Sequence, residues 1–453
     1  MFNERYLETE DRQNSLHPTE DIFRWLEERK SNLKVRLEKI QLEKCLPWYY
    51  DSASGMIRNQ KGTFFQITGL RWLKDTGEIV EQPIILQEEI GFLGIICCKI
   101  KGVWHYLMQA KIEPGNVNNV QVSPTIQATK SNFTQQHGGA KPAFLDYFIH
   151  MSPNKVLVDQ IQSEQSSRFL GKRNRNVILM ENMQLEEPPT HRWMTLPQIK
   201  ELMKYDNLVN MDTRTVLSCI PYVLLGGEGD VPFKNKLYFN KTASSLDRQI
   251  IVNIYKQIND YKMFQKGKTE KIPLYDLKDW KMENGEFFCT KGYPFKLIFC
   301  NIAIEGREVT EWRQPLFAAT GIATFGLICC DDEGMLKFLI KIKPEVGCFD
   351  GVEIGPTIQE EAGSIAEENC VSKLFWRKLK NNTGVLSDVL LSEEGGRFYQ
   401  EQNRNVIISI QKDELPVIPE GYVWSDYGTL NILTQINNCL NIQLRNLLSI
   451  LEI

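Results

Sequence analysis

Gly94-Ile95-Ile96-Cys97-Cys98, Lys111-Ile112-Glu113-Pro114-Gly115 and Pro124-Thr125-Ile126-Gln127 return later in the same chain as Gly326-Leu327-Ile328-Cys329-Cys330, Lys343-Pro344-Glu345-Val346-Gly347 and Pro356-Thr357-Ile358-Gln359. All are displaced by 232 positions (326 − 94 and 359 − 127 agree), and Gln82-Pro83 meets Gln314-Pro315 at the same displacement. The match resumes at Ser163-Glu164-x-x-x-Arg168-Phe169 against Ser392-Glu393-x-x-x-Arg397-Phe398, now displaced by 229 (392 − 163). Near the ends, Asn210-x-x-x-Arg214-x-x-Leu217-Ser218 faces Asn441-x-x-x-Arg445-x-x-Leu448-Ser449, displaced by 231 (441 − 210). The chain therefore reads as two tandem copies of one fold.

Its 453 residues, 42% of them apolar, allow each copy its own core. The Gly226-Gly227-Glu228-Gly229-Asp230 stretch marks the boundary, giving modules 1–228 and 229–453. Each begins with a helix, read over Thr19 to Leu46 in the first copy and from Leu246 through Ile258 in the second. Phe64 to Gly69, Ile84 to Gln87, Gly91 to Lys99, Val103 to Lys111 and Asn176 to Glu181 read as strands. A closing helix follows at Leu196 to Leu202, and each copy finishes on an amphipathic helix that can pack internally or form a dimer surface. The fold class is α+β, a mixed or antiparallel sheet flanked by helices.

Composition narrows the function classes. A net charge of −4 argues against a broad nucleic-acid surface. There is no apolar run near the ~18 residues of a membrane span and no apolar leader. The eleven cysteines show no CxxC spacing, and neighbours such as Cys97 and Cys98 point to opposite faces of a strand. A reduced, cytoplasmic protein is expected. No G-x-G-x-x-G, P-loop or G-x-S-x-G is present, which removes the commonest dinucleotide, nucleoside-triphosphate and serine-hydrolase arrangements.

Several polar groups are candidates for chemistry. Lys111 and Glu113 leave one face of a strand, where one can meet a phosphate and the other a proton; an exposed ion pair is the competing reading. Arg168, Lys172, Arg173 and Arg175 offer guanidinium forks that match diphosphate oxygens, or a solvated charge run. All five histidines lie in the first half. His137 sits in a loop with Gly138 and Gly139, whereas His105 falls on the strand Trp104 to Met108 as a surface residue. Pro356 to Gly363 loosely fits the R-E-U-x-E-E-x-G core of a Nudix box, with Glu360-Glu361 as its glutamates. Pro356 and Thr357 replace the Arg-Glu pair, however, and the first copy reads Ala128-Thr129 in place of the glutamates.

Taken together, Gln109 to Asn116, Ser123 to Asn132, Gln162 to Gln165, Lys172 to Asn176 and Asp206 to Asp212 resemble the NDP-4-keto-6-deoxyhexose 2,3-dehydratase family over nearly the whole chain. That resemblance implies a duplicated Nudix-like fold lacking the hydrolase metal site. It also implies loss of water across C2 and C3 of a nucleotide-linked 4-keto-6-deoxyhexose, with no redox or metal cofactor. On this reading Glu113 and His137 share the base and acid roles, in an order left open, and Lys111 stands near the enolate or phosphate. Arg168, Arg173 and Arg175 hold the diphosphate, and Thr125, Gln127, Ser131 and Asn132 contact sugar or base. Trp312, Gln314, Thr357, Gln359 and Arg397 are their second-copy candidates, with Glu345 the reserve catalytic residue. The first copy, closer to the family pattern, is expected to carry the reaction, and a homodimer is expected. A Nudix-type hydrolase and a non-catalytic nucleotide-sugar binder are the alternatives.

Overall fold

The structure, a computed structural model, describes residues 14–62, 64–129, 141–225, 248–305, 310–364 and 367–451. The first half contains α1 (Thr19–Ser31), β1 (Val35–Ile40), β2 (Trp48–Asp51), β3 (Met56–Asn59), β4 (Gln66–Leu73), β5 (Ile79–Leu86), β6 (Gly91–Ile100), β7 (Val103–Ile112), β8 (Val120–Ser123) and β9 (Ile126–Ala128). It continues with α2 (Leu145–Ile149), β10 (Val156–Ser163), β11 (Arg173–Glu181), β12 (His191–Thr195), α3 (Leu196–Leu202), α4 (Met211–Ser218) and α5 (Tyr222–Leu225). The second half opens with α6 (Arg248–Phe264), β13 (Lys268–Ile272), β14 (Trp280–Glu283), β15 (Glu286–Cys289), β16 (Phe295–Ile304), β17 (Glu311–Ala319), β18 (Ala323–Asp332) and β19 (Met335–Pro344). After them come β20 (Val352–Gly355), β21 (Ile358–Glu360), α7 (Cys370–Lys380), β22 (Val385–Ser392), β23 (Phe398–Tyr399), β24 (Gln402–Ile410), β25 (Tyr422–Asp426), α8 (Tyr427–Leu433) and α9 (Ile442–Ser449). The class is α+β with mixed sheets.

Each half builds one seven-stranded mixed sheet. Its order is β10-β11-β6-β7-β12 in the first half, with β8 on β7 and β9 on β6, and β22-β24-β18-β19-β25 in the second, with β20 on β19 and β21 on β18. The parallel pairs β6 with β11 and β18 with β24 run through the apolar strands that contain the Cys-Cys doublets. Both faces of these strands are covered, which is why they read as unbroken apolar runs. Cys97 packs in the large central core with Cys329, while Cys98 and Cys330 face separate outer cores under α2 and α7. All eleven cysteines are free thiols.

The second sheet of each half, antiparallel except for the short parallel pair of β17 with β23, is completed by a strand from the other. In the first half β3 covers only Gln66 and Ile67 of β4, and β13 of the second half pairs with Gly69 to Leu73. Reciprocally, β15 covers Leu297 and Ile298 of β16, and β1 of the first half takes Phe299 to Ile304. Here the expectation of one helix over 19–46 is corrected. The helix ends at Ser31, with the backbone N–H of Asn32 returning to the Glu28 carbonyl, and Val35-Arg36-Leu37-Glu38 then alternates apolar and charged residues with the period of a half-buried strand. Charge content masked that alternation in the sequence.

Two further expectations change. His105 does lie on β7, but it is fully buried, receiving the Leu16 N–H on Nε2 at 3.0 Å, with Nδ1 3.0 Å from the Val103 carbonyl. The terminal helices α4 and α9 are buried at every residue and pack on each other between the halves, so they offer no outer surface to a second chain. Arg214 on α4 donates to the Ser392 carbonyl at 2.9 Å, and Arg445 on α9 donates to the equivalent Ser163 carbonyl. The linker expected at Gly226 to Asp230 lies outside the described residues. Among the described residues, no helix is long and apolar enough to cross a membrane.

Candidate active site

Where β7 ends, the Lys-x-Glu-x-Gly turn pushes into the other half. Gly115 N–H donates to the Gly395 carbonyl at 2.8 Å, and its own carbonyl accepts from Gln400 N–H at 2.7 Å. A Cβ at residue 115 would stand 1.6 Å from the Phe398 carbonyl oxygen, so only glycine permits this approach. In the mirrored contact a Cβ at residue 347 would stand 1.9 Å from the Phe169 carbonyl oxygen. The repeated motif is thus first an inter-half joint.

That joint places Glu113, 4% exposed, on the wall of a cavity of about 890 Å³ built from both halves. Three donors converge on its carboxylate. Gln127 Nε2 lies 3.1 Å from Oε1, Lys111 Nζ is 3.5 Å from Oε1, and Gly395 N–H of the second half reaches Oε2 at 3.1 Å. Gln127 is oriented in turn by Asn210 Nδ2 at 3.2 Å, while Asn210 Oδ1 caps α4 by accepting from Thr213 N–H at 2.8 Å. Lys111 and Glu113 therefore form a largely buried pair facing a cavity, not an exposed strand-end pair.

The remaining wall is acidic and basic in patches. Asp212, in the first turn of α4, is 2% exposed and makes no side-chain hydrogen bond or ion pair among the described residues. Burial, then the charges of Glu394, Glu164 and Glu113, push its pKa well above the usual carboxylate range, with Lys111 pulling the other way. Glu164 is pushed up to about 7, chiefly by burial and then by Glu394, although Asn174 Nδ2 donates to it at 2.6 Å. Lys172, Arg29, Arg313 and Arg397 supply positive charge around the same cavity. The Arg397 guanidinium lies over the Phe65 ring, 4.4 Å from its centroid.

Of the residues expected from sequence, Lys111, Glu113, Thr125, Gln127, Trp312, Gln314 and Arg397 line this cavity together. Thr125 is spent on structure, accepting from Ile96 N–H at 2.9 Å and donating to the Leu107 carbonyl, and Thr357 repeats this with Ile328 and Leu339. Trp312 Nε1 donates to Gln314 Oε1 at 3.0 Å, and Gln314 Nε2 holds the Gly396 carbonyl at 2.8 Å. Ser131, Asn132 and His137 lie outside the described residues.

The three arginines expected at the diphosphate do not line this cavity. Arg175 is half-exposed and bidentate to Asp159 at 2.6–2.7 Å, and Arg173 stacks on Phe349 at 3.8 Å. Arg168 lies among the second half's counterparts of the site residues, where it meets Glu361 at 3.0 Å and Glu401 at 3.2 Å and lies over Phe295 at 4.3 Å. There Glu345 and Gln359 repeat the Glu-Gln contact at 2.7 Å, and Asn441 holds Gln359 at 2.9 Å. The two Nudix-box glutamates are engaged separately: Glu361 with Arg168, and Glu360 with Ser372 and Trp376, each at 3.0 Å. Among the described residues, no three His, Cys, Asp or Glu side chains converge as a metal-ligand group.

Sequence reasoning missed Asp212, Glu164 and Glu394 as site residues. Two of the three carried a signal, because the repeat places Gln443 opposite Asp212 and Gln165 opposite Glu394.

Comparison with known proteins gives the chain's family. A family described as NDP-hexose 2,3-dehydratase matches residues 19–220 and again 252–451. Three curated proteins named dTDP-4-dehydro-6-deoxy-alpha-D-glucopyranose 2,3-dehydratase are similar over nearly their full lengths. The one from Streptomyces violaceoruber is 36% identical over 95% of this chain and 96% of its own. Those from Saccharopolyspora spinosa and Amycolatopsis orientalis are 34% and 32% identical, over 97% and 95% of this chain and 92% and 89% of theirs. A solved structure titled "Crystal structure of ADP compounds hydrolase" overlaps 35% of the chain and 84% of its own at 14% identity, with a TM-score of 0.20, too low to bear on the fold. On the family match to both halves and the full-length relatives, the chain belongs to the NDP-hexose 2,3-dehydratase family.

Proposed function

We propose that this protein removes water across C2 and C3 of a dTDP-linked 4-keto-6-deoxyhexose to give the 3,4-diketo-2,6-dideoxyhexose. The single observation that carries the reading is a family match spanning both halves together with a cavity at their joint that presents Glu113 beside Lys111. The 4-keto group acidifies the C3 proton by delocalising charge, so a positioned carboxylate suffices as base. Glu113 takes that role, and Lys111 lies where it can meet the enolate oxygen. Gln127 and Asn210 orient Glu113 through their hydrogen bonds.

Arg397, Arg313 and Lys172 replace Arg168, Arg173 and Arg175 as the diphosphate-holding set, because they line the cavity. His137, eight positions beyond the cavity residue Thr129, is the histidine candidate for proton transfer. The modules 1–228 and 229–453 are proposed as Nudix-like units that work without a divalent ion. Eleven free thiols fit a reducing cytoplasm. A homodimer remains part of the proposal, with sedimentation velocity as its test.

The test of function is incubation with dTDP-4-keto-6-deoxyglucose and chemical trapping of the diketo product. Appearance of the trapped product with a chelator present supports the reading. Binding without conversion, or release of a nucleoside monophosphate, overturns it.

A further inference from the structure

Lys111, Glu113, Gln127 and Asn210 recur in the second half as Lys343, Glu345, Gln359 and Asn441, with the same hydrogen-bonded relay. Two cavity carboxyls do not recur. Asp212 is opposite Gln443, and Glu394 is opposite Gln165. An amide keeps a hydrogen-bonding shape but cannot give up a proton at these pH values. What differs between the halves at these paired positions is the two carboxyls and not the base with its relay.

Asp212 has the position and surroundings for that task. Its carboxyl lies on the cavity wall, without a hydrogen-bond partner among the described residues, two positions after the Asn210 that orients Gln127 and hence Glu113. The carboxyl oxygens of Asp212 are not sealed inside the protein but open on the cavity, where a substrate hydroxyl can meet them. Glu394 enters the same cavity from the second half, beside the Gly395 N–H that holds Glu113.

We propose that Asp212, and not His137, is the general acid of the dehydration, protonating the C2 hydroxyl as it departs, while Glu394 acts as a positioning residue that keeps the proton on Asp212. This rests on the dehydratase reading above. Glu113 takes the C3 proton, and the C3–H electron pair becomes the enolate. The C2–O bond then breaks, and the oxygen leaves as water with the proton from Asp212. In the tautomerisation that follows, C2 gains a proton from Glu113 and the 3-hydroxyl returns one to Asp212, so both carboxyls end as they began. The four charged groups acting on Asp212 are Glu394, Glu164, Glu113 and Lys111; the three carboxylates favour the protonated form and Lys111 opposes it.

The test follows C3 deuterium incorporation from D2O and diketo product separately, using full-length protein and dTDP-4-keto-6-deoxyglucose. Asp212→Asn is expected to lose product formation about 10²–10⁴-fold while still exchanging the C3 proton and binding dTDP. Glu113→Gln loses both exchange and product. Product at the wild-type rate from Asp212→Asn, or loss of exchange alongside product with dTDP binding intact, overturns the assignment. If Asp212→Asn no longer binds dTDP, Glu394→Gln decides: removing that negative charge moves the basic limb of the kcat profile to lower pH, and an unmoved limb overturns the proposal. A wild-type protein that forms no product marks failure of the dehydratase reading itself, and the proposal falls with it.

Discussion

The backbone N–H of Gly395 donates to Glu113 Oε2 at 3.1 Å, so the carboxylate of one half is aimed by the main chain of the other. The contact exists because Gly115 and Phe398 approach closer than any side chain allows. Gly115→Ala forces the two loops apart, and overpacking of this kind costs about 1–3 kcal/mol. Urea denaturation should show that loss, and kcat should fall at least about tenfold as Glu113 loses its orientation. Gly347→Ala, at the mirrored joint, should lose similar stability with a much smaller change in kcat.

The second half retains Glu345 and its Gln359 contact, but Arg168, Glu361 and Glu401 occupy the neighbouring positions with their own ion pairs. Glu345→Gln is therefore expected to keep activity within about twofold, against the 10²–10⁴-fold loss of roughly this order for a catalytic carboxylate. Steady-state rates of diketo formation check this. An inactive Glu345→Gln protein that still folds would place chemistry in the second half.

Arg168 and Glu401 are both nearly fully buried, at 2% and 4% exposure. Removing one partner of a buried pair leaves the other charge uncompensated, at a cost of about 3–5 kcal/mol. Arg168→Met should lower the denaturation midpoint correspondingly, while dTDP affinity measured below that midpoint stays near wild type. A large affinity loss in folded protein would return Arg168 to the substrate site.

His191 is fully buried, its Nε2 3.0 Å from the Thr125 carbonyl and its ring edge-on to Phe144. Burial pulls its pKa from 6.5 down to about 4. A histidine depressed on folding adds stability that is complete above pH 6.5 and lost as pH falls towards 4, about 3 kcal/mol in all. Glu164, raised to about 7, acts with the opposite slope between 4.5 and 7, so the difference between wild type and His191→Gln isolates the histidine. Wild type should lose more stability than the variant between pH 6.5 and 4 in parallel urea titrations.

Because β1 and β13 are exchanged, residues 14–225 and 248–451 made separately each lack a strand beside β4 or β16. Each fragment should show weakened near-ultraviolet circular dichroism and self-association through the exposed edge. Mixing them should restore the native spectrum and dehydratase activity. Two independently native fragments would contradict the exchange.

The repeat made much of this architecture legible. Strands with apolar runs, such as β6 and β18, and the helix Leu196–Leu202 fall where periodicity puts them. The exchanged strand β1 was not legible, because Arg36, Glu38 and Lys39 give it a helix-like charge density and its partners lie 259 to 269 positions away (299 − 40 and 304 − 35). At the site, Glu113 and Gln127 stand out by repetition, but repetition also drew attention to Thr125 and Thr357, which both copies keep to bond strand carbonyls. Arg168 shows the limit in the other direction, since an arginine shared by both copies lines the cavity only as Arg397. Asp212 and Glu394 are legible only where the copies disagree.

The traded strands also make each half structurally indispensable to the other. Deleting the second would strip β4 of its neighbour and Glu113 of its Gly395 contact in one event. The second half is an obligate brace for the first, bound to preserve every edge and loop it lends.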